Sequence, residues 1–139
     1  MKPKILTLVI PETPNPQLLP NRRLHWAAKS RAVKQERELW YALMRECIHD
    51  EQEGLPLARV KIAFELTYPD RRHRDVDNLL AALKPCIDTL CAPKHRADTS
   101  YRLGVIQDDS PDCMPAAPSL TTRHEPGVRE TKIVIEEVE

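Results

Sequence analysis

The sequence predicts an α+β fold: a single domain over residues 1–139 with a mixed β-sheet flanked by two main helices. Three observations carry that prediction. Val60, Ile62, Phe64, Leu66 and Tyr68 alternate with Arg59, Lys61, Ala63, Glu65 and Thr67, the pattern of a strand with one face buried and one wet. Two longer stretches, from about Trp26 to His49 and from about Asn78 to Leu90, repeat apolar residues at helical spacing. Short β-rich runs lie near both ends of the sequence. At 139 residues, with 41% hydrophobic and 30% charged side chains, the chain suits one soluble globular domain with a real core.

Ile5 to Ile10 reads as a strand stopped by Pro11, and a proline-rich loop to Pro20 leads to the first helix. In that helix Trp40, Leu43, Met44, Cys47 and Ile48 form the apolar stripe, widened by Leu39. Gly54 and Pro56 break the chain before the alternating strand, which ends at Pro69. The second helix carries Leu79, Leu83, Ile87 and Leu90 on one face and Asp77, Lys84 and Asp88 on the other. Helical side chains lean toward the N-terminus, so Lys84 is expected to reach back toward Asp75 and Asp77, and Pro85 to kink the helix. Cys91 to Arg102 reads as a loop, Leu103 to Gln107 as a short strand, Pro111 to Gly127 as a second loop and Thr131 to Val138 as the last strand.

Charge narrows the function classes. The net charge is zero, which weighs against a protein that coats nucleic acid through bulk charge. The cations are nevertheless concentrated, in Arg22, Arg23, Lys29, Arg31, Lys34 and Arg37, and again in Arg71, Arg72 and Arg74. Such local patches suit a nucleic-acid footprint, or simply a solvated face. No apolar run approaches the roughly 20 residues needed to span a bilayer, and the N-terminal residues lack signal-peptide features, so a cytoplasmic setting is expected. The four cysteines show no Cys-x-x-Cys spacing. A zinc set of Cys86, Cys91, His95 and Cys113 has an untypical step between ligands, and buried free thiols are the better reading.

The most informative stretch is Arg71-Arg72-His73-Arg74-Asp75-Val76-Asp77-Asn78, with Gln107-Asp108-Asp109-Ser110 further on. Carboxylates at i and i+2 share a side in extended backbone, and a third from elsewhere completes an oxygen cage for Mg²⁺ or Mn²⁺. Guanidinium groups beside it suit phosphate. Each piece also has a plain structural use: Asp77, Asn78 or Asp75 as a helix cap, Asp108 to Pro111 as a turn, and the arginines as loop solvation.

These residues, together with Lys84-Pro85-Cys86-Ile87-Asp88-Thr89-Leu90 and Leu19-Pro20-Asn21-Arg22-Arg23-Leu24-His25-Trp26, resemble the RusA family of Holliday-junction resolvases, phage and prophage members in particular. The resemblance spans nearly the whole chain. It implies a Mg²⁺-dependent endodeoxyribonuclease (Mn²⁺ substituting) that resolves four-way DNA junctions by paired symmetric nicks as a homodimer. Asp75, Asp77 and Asp109 match the metal-binding catalytic carboxylates, and Lys84 matches the active-site lysine. Arg71, Arg72, Arg74, Arg22, Arg23 and Lys29 are the expected DNA-binding cations. There are two departures. Some members place the lysine where this chain has Ala81, and the segment between Leu90 and Gly104 is longer here than in compact members. A rival from another class is a branched-DNA-binding module of the same fold that does not cut. A zinc-binding structural protein is a third and weaker one.

Overall fold

The computed structural model describes residues 3–20, 23–48, 54–95 and 101–139. The alternating run becomes the longest strand, β2 (Val60–Tyr68), beside β1 (Ile5–Ile10), β3 (Ser119–His124) and β4 (Glu130–Glu137). The strand order is β1-β4-β2-β3, antiparallel except for the parallel β2–β3 pair, so the sheet is mixed as expected. Register gives the sheet one buried face. Leu6 and Leu8 sit opposite Ile135 and Ile133, which in turn face Ile62 and Phe64 across β4–β2, and Phe64 faces Leu120. All of these are buried, whereas Ile5 and Val9, on the alternate positions of β1, are exposed. The helices therefore cover a single face.

The first helix, α1 (Trp26–Ile48), buries Ala32, Glu36, Trp40, Met44 and Ile48, a stripe of every fourth residue. The expected stripe was too wide on one side, because Cys47 is exposed and Leu39 is 38% exposed. Cys47 is thus not one of the buried thiols. The second expected helix is two, α2 (Val76–Ala82) and α3 (Lys84–Leu90), broken at Leu83. Pro85 supplies the reason: it has no N–H to donate and is tolerated in a helix's first turn, so the chain stops and restarts around it. The apolar residues Leu79, Leu83, Ile87 and Leu90 all reach the core. The single polar line through Asp77, Lys84 and Asp88 is lost, since Asp77 now belongs to a different helix from the other two.

Two connections position the surface charges. Strand β3 falls inside the stretch expected to be loop; only Leu120 in it is buried, so it carries almost no apolar signal. From β3 the chain passes over the end of β2 to reach β4. Glu125 N donates to Tyr68 O at 3.0 Å and Val128 N to Glu125 O at 3.1 Å. Pro126 and Gly127 (φ 75°) form the crest, where a positive φ calls for glycine. The other connection is Leu103 to Gln107, which makes only isolated bridges, from Ile106 to Leu57 and to Cys91, and so is no full strand. Val105 and Ile106 are fully buried between those partners, which pins the place where Asp108 and Asp109 emerge. Among the described residues no helix is long and apolar enough to cross a membrane.

Candidate functional site

Two chemically opposite neighbourhoods occupy the surface. The cationic one forms where the parallel strands β2 and β3 end together, with Thr67 beside Arg123 and Tyr68 beside His124. The chain leaving β2 then folds Asp70 to Arg74 over the same end. Arg74 lies on the Tyr68 ring, its Cζ 3.5 Å from the centroid, while its Nη2 donates to Asp70 Oδ1 at 2.8 Å. Arg129, delivered by the crossing above β2, stands 5.5 Å from the same ring and donates to Thr13 Oγ1 at 2.7 Å. Burial pushes the Tyr68 hydroxyl up despite the two guanidinium groups, so it stays protonated and neutral. Asp70 is held below the usual carboxylate range, first by the Arg72 backbone N–H and then by Arg74.

A cleft of about 410 Å³ continues from these residues to Asp75 and Asn78, walled on its apolar side by Pro14, Pro16 and Leu19. The proline loop is fastened by Glu36 of α1, whose Oε2 accepts from Asn15 N at 2.6 Å. Asp75, at the head of α2, is the helix cap. Its Oδ1 accepts from Asp77 N at 2.9 Å and Asn78 N at 3.3 Å. The helix therefore begins at Val76, two residues ahead of Asn78, and Asp77 sits exposed in its first turn, where a negative charge suits the helix dipole.

The acidic neighbourhood lies along α3. Lys84 Nζ donates to Asp109 Oδ2 and makes an ion pair with Asp88 Oδ1 at 3.0 Å. Lys84 thus turns toward the Asp108-Asp109 pair and its own helix rather than back to Asp75 and Asp77, because the break at Leu83 re-aims the first turn of α3. The hydrogen bond from Lys84 draws Asp109 below its ordinary pKa, against its partial burial. Burial pulls the Lys84 ammonium down, but its bonds to Asp109 and Asp88 outweigh that and the net shift is upward. Asp108, Asp109 and Cys91 place one ligand atom each within 4.8 Å of the others. Burial, then the charges of Asp109, Asp108 and Asp88, push the Cys91 thiol up to about 11, so near neutral pH it is a thiol and not a thiolate.

Among the described residues this is the one group of three such ligands that forms; Asp75, Asp77 and Asp109 do not gather around a common point. Nor do Cys86, Cys91, His95 and Cys113, since Cys86 is sealed against Met44. The oxygen pair Asp108-Asp109 fits a hard divalent ion. Sulfur would favour a softer one. Of the expected DNA-binding cations, Arg71, Arg72 and Arg74 lie together beside β3. Arg23 and Lys29 are exposed at the head of α1, and Arg22 falls outside the described residues. Arg123, His124 and Arg129 give no signal in the sequence; only the parallel register and the β3–β4 crossing bring them to the arginine run. No family model matches the chain, and no curated protein matches it.

Proposed function

We propose that this protein is a divalent-metal-dependent nuclease acting on branched DNA. Within that class we read it as a RusA-type resolvase that nicks four-way junctions in pairs, as a homodimer in the cytoplasm, where its thiols would stay reduced. The observation that carries the reading is the pairing of Lys84 with Asp109 across 25 positions. It joins the helix following the Asp-x-Asp-Asn motif to the Asp-Asp pair, so two separate pieces of one motif set meet in space.

Each part of the site has a task under this reading. The Arg71, Arg72 and Arg74 guanidiniums hold backbone phosphates and set the register of the DNA. Asp108 and Asp109 would hold the Mg²⁺ ion. When bound, that ion supplies a Lewis acid and a water of lowered pKa. Lys84 keeps Asp109 ionised and oriented, and offers its own charge to phosphoryl oxygens as they gain electron density. Asp75 fixes the head of α2 and so aims Asp77 and Asn78.

The non-cutting rival draws on one specific observation: Asp75 is committed to capping, and the three family acids stand apart. A synthetic four-way junction, incubated with and without Mg²⁺, separates the two. Paired nicks that require the metal support the nuclease. Tight junction binding without nicks in Mg²⁺ or Mn²⁺ transfers the protein to the binding class. Indifference to the junction removes both.

A further inference from the structure

We infer that the end of the parallel β2–β3 pair is a phosphodiester-binding notch, built by Arg71 and Arg72 together with Arg123 and His124 of β3. The identity of its ligand as DNA rests on the nuclease reading; the notch itself rests on geometry. The recess holds about 240 Å³, enough for a phosphate with part of its sugars. Arg71, Arg72, Arg74, Arg123 and His124 line it, with Asp70 as its one acid. Arg74 uses Asp70, at 2.8 Å, and Arg123 uses Glu65, at 3.2 Å on the open sheet face. Arg71 and Arg72 form no ion pair among the described residues.

The recess is thus left with uncompensated positive charge, and its donors face one space. Arg71 Nε donates to His124 Nδ1 at 3.2 Å. That bond leaves Nε2 as the protonated nitrogen of the neutral ring, a donor free to meet a phosphate oxygen. It also orients the guanidinium plane, whose remaining N–H groups match the oxygens of a phosphodiester bidentately. Surface arginines that merely solvate a loop do not need a histidine from another strand to hold them. Here the register Tyr68↔His124 fixes His124 on a strand, beside the end of β2 from which the chain continues to Arg71.

The notch contains none of the acidic residues Asp88, Asp108 and Asp109, so it is a grip and not a cutting centre. Its place in the reaction is to hold a strand's backbone while chemistry occurs elsewhere. Glu65 then competes with DNA for Arg123.

The test is junction binding in metal-free buffer across a salt series. Arg71→Ala combined with Arg123→Ala should weaken binding about tenfold, and flatten the dependence of log K on log salt by about 0.9 per lost phosphate contact. His124→Ala should give a smaller loss, and Glu65→Gln should tighten binding by releasing Arg123. Arg123→Lys keeps the charge on the edge strand and should retain most of the affinity, which guards against a folding artefact. Unchanged affinity and slope in the double variant, with wild-type cleavage intact, overturn the notch and leave the nuclease standing. The predicted losses in a protein that never cuts confirm the notch and remove the nuclease. A wild-type chain that binds no junction overturns both.

Discussion

The two charged neighbourhoods solve opposite problems by opposite means. At the β2–β3 end, cations converge because strand register and a short crossing bring three separate segments together, and among the described residues two carboxylates, Asp70 and Glu65, pair with them. Along α3, acids converge because a buried segment, Val105 and Ile106, is threaded between Leu57 and Cys91, and Lys84 pairs with two of them. The first region keeps a surplus that an external anion can satisfy. In the second Lys84 balances only part of the charge of Asp88, Asp108 and Asp109, so a negative surplus is left for a cation. The lesson is that a ligand's charge can be read from what the protein has left uncompensated, not from the number of charged residues.

The sharpest way to break this comparison is Asp109→Asn. If the acidic region does the chemistry, junction cleavage in Mg²⁺ should fall at least a hundredfold, about 2.7 kcal/mol of transition-state stabilisation, while binding in metal-free buffer is unchanged or tighter. Asp108→Asn is expected to be milder, and the reverse order would show that the other member of the pair carries the role. Cleavage by Asp109→Asn at the wild-type rate would remove the acidic region from the mechanism.

Asp75 sharpens the same contrast by separating charge from structure. Asparagine caps a helix as well as aspartate, so Asp75→Asn should leave thermal stability close to wild type, whereas Asp75→Ala should cost about 1 kcal/mol. If Asp75→Asn nevertheless abolishes cleavage, the carboxylate has a chemical task beyond capping. Retained activity in a stable Asp75→Asn protein would confine it to the cap.

A smaller loss is expected from Lys84→Ala. It leaves Asp109 and Asp88 without their counter-charge, so cleavage should fall by about an order of magnitude or more, while junction affinity in metal-free buffer changes little. A loss of binding as large as that of the arginine variants would instead place Lys84 on the gripping side.

The smallest effect is expected from Glu36, which fastens the proline loop walling the cationic cleft. Burial, opposed by the Asn15 N–H and assisted by the Glu12 charge, raises its pKa above 4.5. A group whose folded pKa is raised stabilises the fold most below the unfolded pKa, and that contribution is lost as pH rises through the folded value. Glu36→Gln still accepts from Asn15 N and should therefore be slightly more stable than wild type at neutral pH, with the advantage vanishing in acid. Denaturant melts at several pH values would show it; a Glu36→Gln protein less stable at neutral pH would mean that the charge itself holds the loop.

Much of the fold was legible from periodicity. Ile5–Ile10 and Val60–Tyr68 announce themselves because alternate residues face one core, and the turn-free length of α1 leaves little alternative. Strand β3 was illegible for the same physical reason: at the sheet's edge, Ser119–His124 buries only Leu120, and its stability comes from backbone pairing that composition does not record. The break at Leu83 was signalled by Pro85, though not its consequence, that Lys84 would face Asp109. The acids and the first arginines could be named from their motif. Their distances could not, because those depend on register and on threading between residues far apart in the chain.

That threading has a consequence for how this chain can change. The excursion after α3 is closed at its base: Leu103 N, Val105 N and Gly104 N donate to Thr89 O, Leu90 O and Cys91 O, while Ala92 N donates to Ile106 O. With its two ends fastened, the intervening stretch can grow at a cost of only about 0.6 kcal/mol per doubling of its length. A change of length between Ala92 and Leu103 is therefore absorbed before the chain reaches Val105 and Ile106, and the acidic pair can keep its place while its approach is varied.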